Sequence, residues 1–225
     1  ITVRTTTRTF GRDGEGRKTL VQVTQEEKHR LPGGDSNVVR AVFTSDLNGK
    51  LQPVRHESVD TKRIDTDTEQ TNSTVMLPSI NDGFAPAIQI HELRKRGPNN
   101  TLESEVSTLR RDGAGNWQVS ELRQATIRDD GKTRSTEERV SRRDAEGKIG
   151  EVSRIVSMES ENDSREKYRV DETYSVDVPG STRDGGLHLV ERATATQRTA
   201  TGEQVADQKV EQPNPGAPNA GLRLS

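Results

Sequence analysis

The sequence predicts an all-β chain: an antiparallel meander of two-stranded repeats about 33 residues long, drawn out as an elongated sheet or rod with a sparse core. Three observations predict it. A turn motif, Asp-x-x-Gly, recurs at a nearly constant interval. The segments between turns are rich in Thr, Arg, Glu and β-branched residues. Finally, only 27% of the 225 residues are hydrophobic and 3% aromatic, against 31% charged. A layered domain is built with an apolar share of roughly 45–50%, so this chain lacks the side chains for a thick core.

The turns come first. Asp13-Gly14-Glu15-Gly16, Asp46-Leu47-Asn48-Gly49, Asp112-Gly113-Ala114-Gly115 and Asp144-Ala145-Glu146-Gly147 share the motif, and Asn81-Asp82-Gly83, Asp184-Gly185-Gly186 and Asn219-Ala220-Gly221 are weaker versions. Their last glycines, at 16, 49, 83, 115, 147, 186 and 221, are spaced by 33, 34, 32, 32, 39 and 35 residues. Asp suits the first position of a type I turn, where its carboxylate accepts backbone N–H groups. Glycine then supplies the positive φ that returns a hairpin to register. The predicted structural residues are therefore Asp13, Gly16, Asp46, Gly49, Asp112, Gly115, Asp144 and Gly147.

The flanks read as strands. Apolar residues follow each turn in Leu51-Gln52-Pro53-Val54, Trp117-Gln118-Val119, Ile149-Gly150-Glu151-Val152 and Leu187-His188-Leu189-Val190. Looser turns fall about halfway, at Pro32–Asp35, Gly97–Asn100, Asp129–Gly131, Glu161–Asp163 and Thr201-Gly202. Two turns per repeat leave two segments of about a dozen residues, within the long end of strand lengths. One β-repeat domain over 1–211 is expected, with units starting near 1, 38, 72, 104, 136 and 170. Residues 212–225, with Pro213, Pro215 and Pro218, read as an extended tail. Ile149, Val152, Ile155 and Val156 also have helix-like spacing, but Pro53, Val54 and Val59 in the equivalent earlier stretch favour a strand. Trp117 reads as a local core plug beside Val119 and Leu122. The start at Ile1 rather than Met is that of a processed or trimmed chain.

Candidate chemistry is thin. The absence of Cys removes disulfides, thiol catalysis and Cys-type zinc sites. His29, His56, His91 and His188 are scattered, with no second His at ligand spacing. No Gly-x-Ser-x-Gly elbow, Walker loop or strand-borne Gly-x-Gly-x-x-Gly occurs, so no catalytic residue is expected and the chain reads as no enzyme. Asp65-Thr66-Asp67-Thr68-Glu69 alternates carboxylates along what would be an extended chain. Asp65, Asp67 and Glu69 are the weak calcium candidates; the solvated polar strand or turn is the better reading. No metal or other cofactor is therefore expected. A net charge of −2 leaves no footprint for nucleic acid, and no window approaches the 18 apolar residues of a transmembrane helix.

The phrases Asn48-Gly49-Lys50-Leu51-Gln52-Pro53-Val54 and Glu138–Gly147 resemble repeats in long, uncharacterised bacterial secreted or cell-envelope β-proteins punctuated by Asp-x-x-Gly turns. The rhythm is also similar to the tyrosine-aspartate repeats of bacterial shell-forming proteins, although this chain has only two Tyr. The resemblance implies an extracellular or cell-envelope protein and supplies no catalytic residues.

The expected function is that of a non-enzymatic structural protein which self-assembles into a filament by adding strands between subunits. Ile1–Phe10 is the most strand-like terminal segment, so Ile1, Val3, Thr5, Thr7 and Phe10 are the expected subunit contacts, adding to the last strand of a neighbouring copy. The alternative is a β module that binds a polysaccharide or an envelope protein without polymerising.

Overall fold

The structure is a computed structural model that describes residues 1–80, 83–162, 166–176, 186–200, 203–214 and 217–224. It contains the strands β1 (Thr2–Arg12), β2 (Lys18–Arg30), β3 (Ser36–Ser45), β4 (Leu51–Arg63), β5 (Thr68–Ser79), β6 (Gly83–Arg96) and β7 (Leu102–Arg111). These are followed by β8 (Trp117–Asp129), β9 (Thr133–Arg143), β10 (Ile149–Glu161), β11 (Lys167–Ser175), β12 (His188–Ala200), β13 (Glu203–Asn214) and β14 (Ala217–Leu224). They form one antiparallel meander of 14 strands in sequence order, not closed on itself. The only helical turn among the described residues is the 3-10 turn Pro32–Gly34 between β2 and β3.

The turn chemistry is repeated almost atom for atom. Oδ1 of Asp13 accepts the N–H groups of Glu15 and Arg17 at 3.0 and 2.8 Å. Asp46 accepts from Asn48 and Lys50, Asp112 from Ala114 and Asn116, and Asp144 from Glu146 and Lys148, all at 2.9 Å. The closing glycines Gly16, Gly49, Gly115 and Gly147 have φ of 78°, 77°, 86° and 86°. Each donates its N–H to the Asp carbonyl at 2.9–3.1 Å. Of the weaker turns, Gly83 also has positive φ, at 69°. Asn81, Asp82, Asp163, Asp184, Gly185, Thr201, Gly202 and Pro215 lie outside the described residues. Asn219-Ala220-Gly221 is no turn, since it falls inside β14.

A second feature recurs just beyond the turns. Val21, Val54, Val152 and Val190 are each the extra residue of a β-bulge, where the register against the preceding strand shifts by one. The first three stand five places after Gly16, Gly49 and Gly147. The bulge also accounts for the helix-like spacing in β10. Alternation plus one inserted residue places Ile149, Val152 and Val156 on one face, although the backbone is a strand throughout.

The chain divides into two compact units, Ile1–Leu93 with Ser107–Val119, and Arg94–Val106 with Ser120–Ser225. Burial is slight in both. Val23 and Val75 are the buried hydrophobic residues described in the first, and Val140 in the second. The first also buries a charge, Glu57, at 8% exposure. Residues 212–225 supply more than a loose extension: β13 continues to Asn214, and β14 pairs with Glu211–Asn214. Pro213 is accommodated because a residue near a sheet edge need not donate to a ladder.

The paired glycines of one turn test this account. Gly115→Ala forces a Cβ into the left-handed region and is expected to cost about 1–2 kcal/mol in urea unfolding. Gly113→Ala, in open space with no such φ, should change stability far less. Equal costs would contradict the turn geometry.

Candidate functional site

The longest uncovered edge described is β1. Its residues are exposed from Thr2 to Phe10, including Val3 at 46% and Phe10 at 47%. The N–H of Arg30 donates to the carbonyl of Ile1 at 2.8 Å, and the amino group of Ile1 donates to the carbonyl of Arg30 at 3.1 Å. A pair that exchanges both bonds fixes the alternation of an antiparallel ladder. Val3, Thr5 and Thr7, opposite Lys28, Glu26 and Thr24, therefore also direct their backbone groups to β2. Thr2, Arg4, Thr6 and Arg8 direct theirs outward. Sequence reasoning chose Ile1, Val3, Thr5, Thr7 and Phe10 by side chain. The backbone groups open to another strand belong to the alternate residues, and no sequence signal distinguishes the two sets before the register is known. Phe10 lies past the bulge, with the Lys18 ammonium 4.4 Å from its ring centre.

Ion pairs cross the strands in register. On β2, β3 and β4, Glu26, Arg40 and Glu57 stand directly opposite one another. Arg40 donates to Glu26 at 2.8 Å and to Glu57 at 2.8 Å, and Arg55 lies 3.3 Å from Glu57. The same order recurs as Glu172, Arg192 and Glu211 on β11, β12 and β13. There Arg192 donates to Glu172 at 2.8 Å, and the Tyr174 hydroxyl donates to the same carboxylate at 2.7 Å. The pairing holds Glu172 below its ordinary range and raises Tyr174 and Arg192. On β1 and β2, Arg4 grips Glu27 through two bonds of 3.1 Å, which lowers Glu27. A shallow hollow of about 280 Å³ beside this pair is lined by Arg4, Thr6, Gln25, Glu27, Val39 and Ala41, among others.

The calcium candidates occupy different settings. Asp65 and Asp67 sit in the turn between β4 and β5, so they do not alternate along an extended chain; Asp65 accepts the Asp67 N–H at 2.8 Å. Glu69 is in β5 opposite Arg63. Among the described residues, no group of three or more His, Asp or Glu is placed to hold a metal ion. The histidines stay apart. His29 contacts Thr2 and Glu27, His91 contacts Asn72, and His56 stacks on Phe84 with ring centres 4.1 Å apart. His188 has a buried Nε2 with no hydrogen-bond partner. Trp117 is half-buried, with the Arg111 guanidinium 5.1 Å from its ring. No helix described is long and apolar enough to cross a membrane.

Comparison with protein-family models, curated proteins and solved structures returns no match. The functional reading therefore rests on the geometry.

Two measurements probe these pairs. Arg40→Met leaves Glu26 without its ion pair and the buried Glu57 with Arg55 alone, and should cost about 1–3 kcal/mol in urea unfolding. Arg17→Met, which breaks two surface pairs, with Asp13 and Glu15, should cost about 0–1 kcal/mol. A smaller loss at Arg40 would refute the ladder's weight.

The second is pH. Backbone N–H groups lower Asp13, Asp46 and Asp112, and hydrogen bonds from Arg123, Arg154 and Tyr174 are the main cause of the lowering of Glu121, Glu151 and Glu172. Depressed carboxylates stabilise the fold fully above their unfolded values, near 3.8 for Asp and 4.5 for Glu. That stability is lost as pH falls through the lower folded values. Urea midpoints should thus fall on acidification below about pH 4.5, and a midpoint unchanged down to pH 2.5 would contradict the assignment.

Proposed function

We propose that this chain is a non-enzymatic structural protein of the bacterial cell envelope or extracellular space, which assembles into filaments by adding β1 of one copy to the sheet of another. The observation that carries the reading is the β1 edge: eleven residues in one strand, with the backbone groups of Thr2, Arg4, Thr6 and Arg8 directed away from β2. Such an edge is a template for a further strand. The envelope location is supported by the Thr-, Arg- and Glu-rich repeat and its Asp-x-x-Gly turns.

The alternative of a binding module has one observation in its favour. The hollow beside Arg4 and Glu27 combines a charged pair with Val39, which is 50% exposed, a combination suited to weak polar contacts with a polysaccharide or an envelope protein. Its position beside β1 also makes it a flank of the strand-addition edge, and assembly is the reading adopted.

Deleting residues 1–10 is a poor test, because it would turn β2 into a new open edge. Thr6→Pro is cleaner: it removes an outward N–H and leaves the bonds from Val3, Thr5 and Thr7 to β2 in place. Electron microscopy across a concentration series should show ordered filaments for the wild type and none for Thr6→Pro, with the β-sheet circular dichroism of both alike. Discrete wild-type particles at every concentration would overturn the assembly reading. So would filaments from Thr6→Pro as abundant as those of the wild type.

A further inference from the structure

One face of four consecutive strands inside the meander differs in chemistry from its surroundings. Residues directly opposite one another in a sheet share a face, as do residues two apart on one strand. On β9, β10, β11 and β12, Ser135, Met158, Val170 and Thr194 form one row. Thr133, Ser160, Tyr168 and Thr196 form the next. The bulges of these strands fall elsewhere, between Glu151 and Ser153 and between Thr173 and Tyr174, so the two rows are unbroken. None of the eight residues is charged, in a chain of which 31% is charged.

The reverse face of the same strands shows that this is a property of the face and not of the segments. There Arg134, Glu159 and Arg169 stand in register, continuing a row from Asp129 on β8. Charge is thus sorted with period two: Thr133 and Ser135 flank Arg134, Met158 and Ser160 flank Glu159, and Tyr168 and Val170 flank Arg169. The uncharged block also has a charged border. Arg128 lies beside it on β8, Glu137 and Glu172 in the next row, and Asp207 and Lys209 on β13.

Within the block, Met158 is 46% exposed and Tyr168 42%. They are diagonal neighbours on paired strands, close enough to form one apolar surface. Among the described residues, the five Ser and Thr hydroxyls and the Tyr168 hydroxyl have no hydrogen-bond partner. We propose that this face binds an uncharged polysaccharide, with a sugar ring laid on Tyr168 and Met158 and its hydroxyls bonded to the Ser and Thr side chains around them. A sugar ring is apolar over its C–H faces and polar at its rim. An exposed aromatic ring set among short hydroxyl side chains complements both. The missing charge gives a polyanionic glycan nothing to pair with. Protein partners fit less well, since Ser is depleted at interfaces, and both Ser and Thr are under-represented among the residues that carry binding energy. Three inter-strand spacings make the block about 14 Å long, so successive rings of one chain can lie across it. The block has β8 and β13 paired on either side, and its binding does not depend on whether copies assemble through β1.

Affinity electrophoresis tests the site. The full chain is run in native gels containing hydroxyethyl cellulose, dextran or galactomannan, with polygalacturonate as the charged comparison, and mobility is taken relative to a gel without polymer. At least one uncharged polymer should retard the wild type, and polygalacturonate should not. Tyr168→Ala should weaken the apparent affinity about tenfold, by loss of the ring, whereas Tyr168→Phe, which keeps the ring, should bind far better than Tyr168→Ala. Ser135→Asp puts a charge into the block with the ring in place and should weaken binding likewise, so the result does not hang on one variant. Ser157→Ala, on the reverse face, should bind as the wild type does. Retardation unchanged in both Tyr168→Ala and Ser135→Asp would overturn the site, as would retardation by polygalacturonate alone or by no polymer. Dimers of the wild type that Tyr168→Ala dissociates, without retardation in any gel, would assign the face to a second copy of the chain and overturn the polysaccharide.

Discussion

A guanidinium held between carboxylates on the two neighbouring strands does two things that this chain cannot obtain from a core. It supplies cross-strand attraction where apolar burial is scarce, and it specifies register. Glu26, Arg40 and Glu57 meet only in one alignment of β2, β3 and β4. A slip of one residue would move every side chain of a strand to the other face. It would set Arg40 on the face opposite both carboxylates and leave the buried Glu57 with Arg55 alone. Individual cross-strand pairs contribute only about 0.2–1 kcal/mol, so the constraint acts through repetition; in the second unit Arg192 stands opposite both Glu172 and Glu211 and is bonded to Glu172. With Val23, Val75 and Val140 as the buried hydrophobic residues described, register here depends on charge order and hydrogen bonds far more than in an ordinary sheet.

The turns and bulges complete that constraint. Each Asp-x-x-Gly loop closes through a carboxylate oxygen that takes two backbone N–H groups, so the loop's donors are satisfied without a core beneath it. Beyond the Gly16, Gly49 and Gly147 turns a valine bulge shifts the return strand by one residue. The face presented next to the turn therefore differs from the face presented along the rest of the strand. Val54 and Val152 are the inserted residues themselves, which makes the apolar residue after the turn part of the hairpin mechanism.

Turn position was legible because Asp and Gly perform local chemistry that needs no distant partner. The strands between followed from the spacing, and β10 is a strand despite helix-like periodicity. The bulge was not legible, since a one-residue insertion in period two gives Ile149, Val152 and Val156 the spacing of a helix. Nor was the strand character of Ala217–Leu224: Pro218 and Gly221 read as breakers, but an edge strand needs no donor on its open side. The Glu–Arg–Glu order was present in the sequence as residues and hidden as a relation, because opposition depends on loop length and bulge together. The same dependence concealed which residues of β1 turn their backbone outward.

The two ends of the meander differ in a way that bears on assembly. Sheet edges are commonly blunted by proline, bulges or short strands. β1 has none of these along Thr2–Thr9: its sequence holds no Pro there, and the first register shift falls after Thr9, with the inserted residue in β2. At the other end, β14 carries Pro218 and breaks register between Pro213 and Asn214, and its pairing stops at Glu211. β1 is thus a long regular strand, and β14 a shorter, interrupted one. Surfaces so unlike each other favour a heterologous contact, in which donor and acceptor are different patches and each copy still offers one of each after joining. Under the assembly reading proposed above, such a contact is open-ended unless its rotation closes a ring.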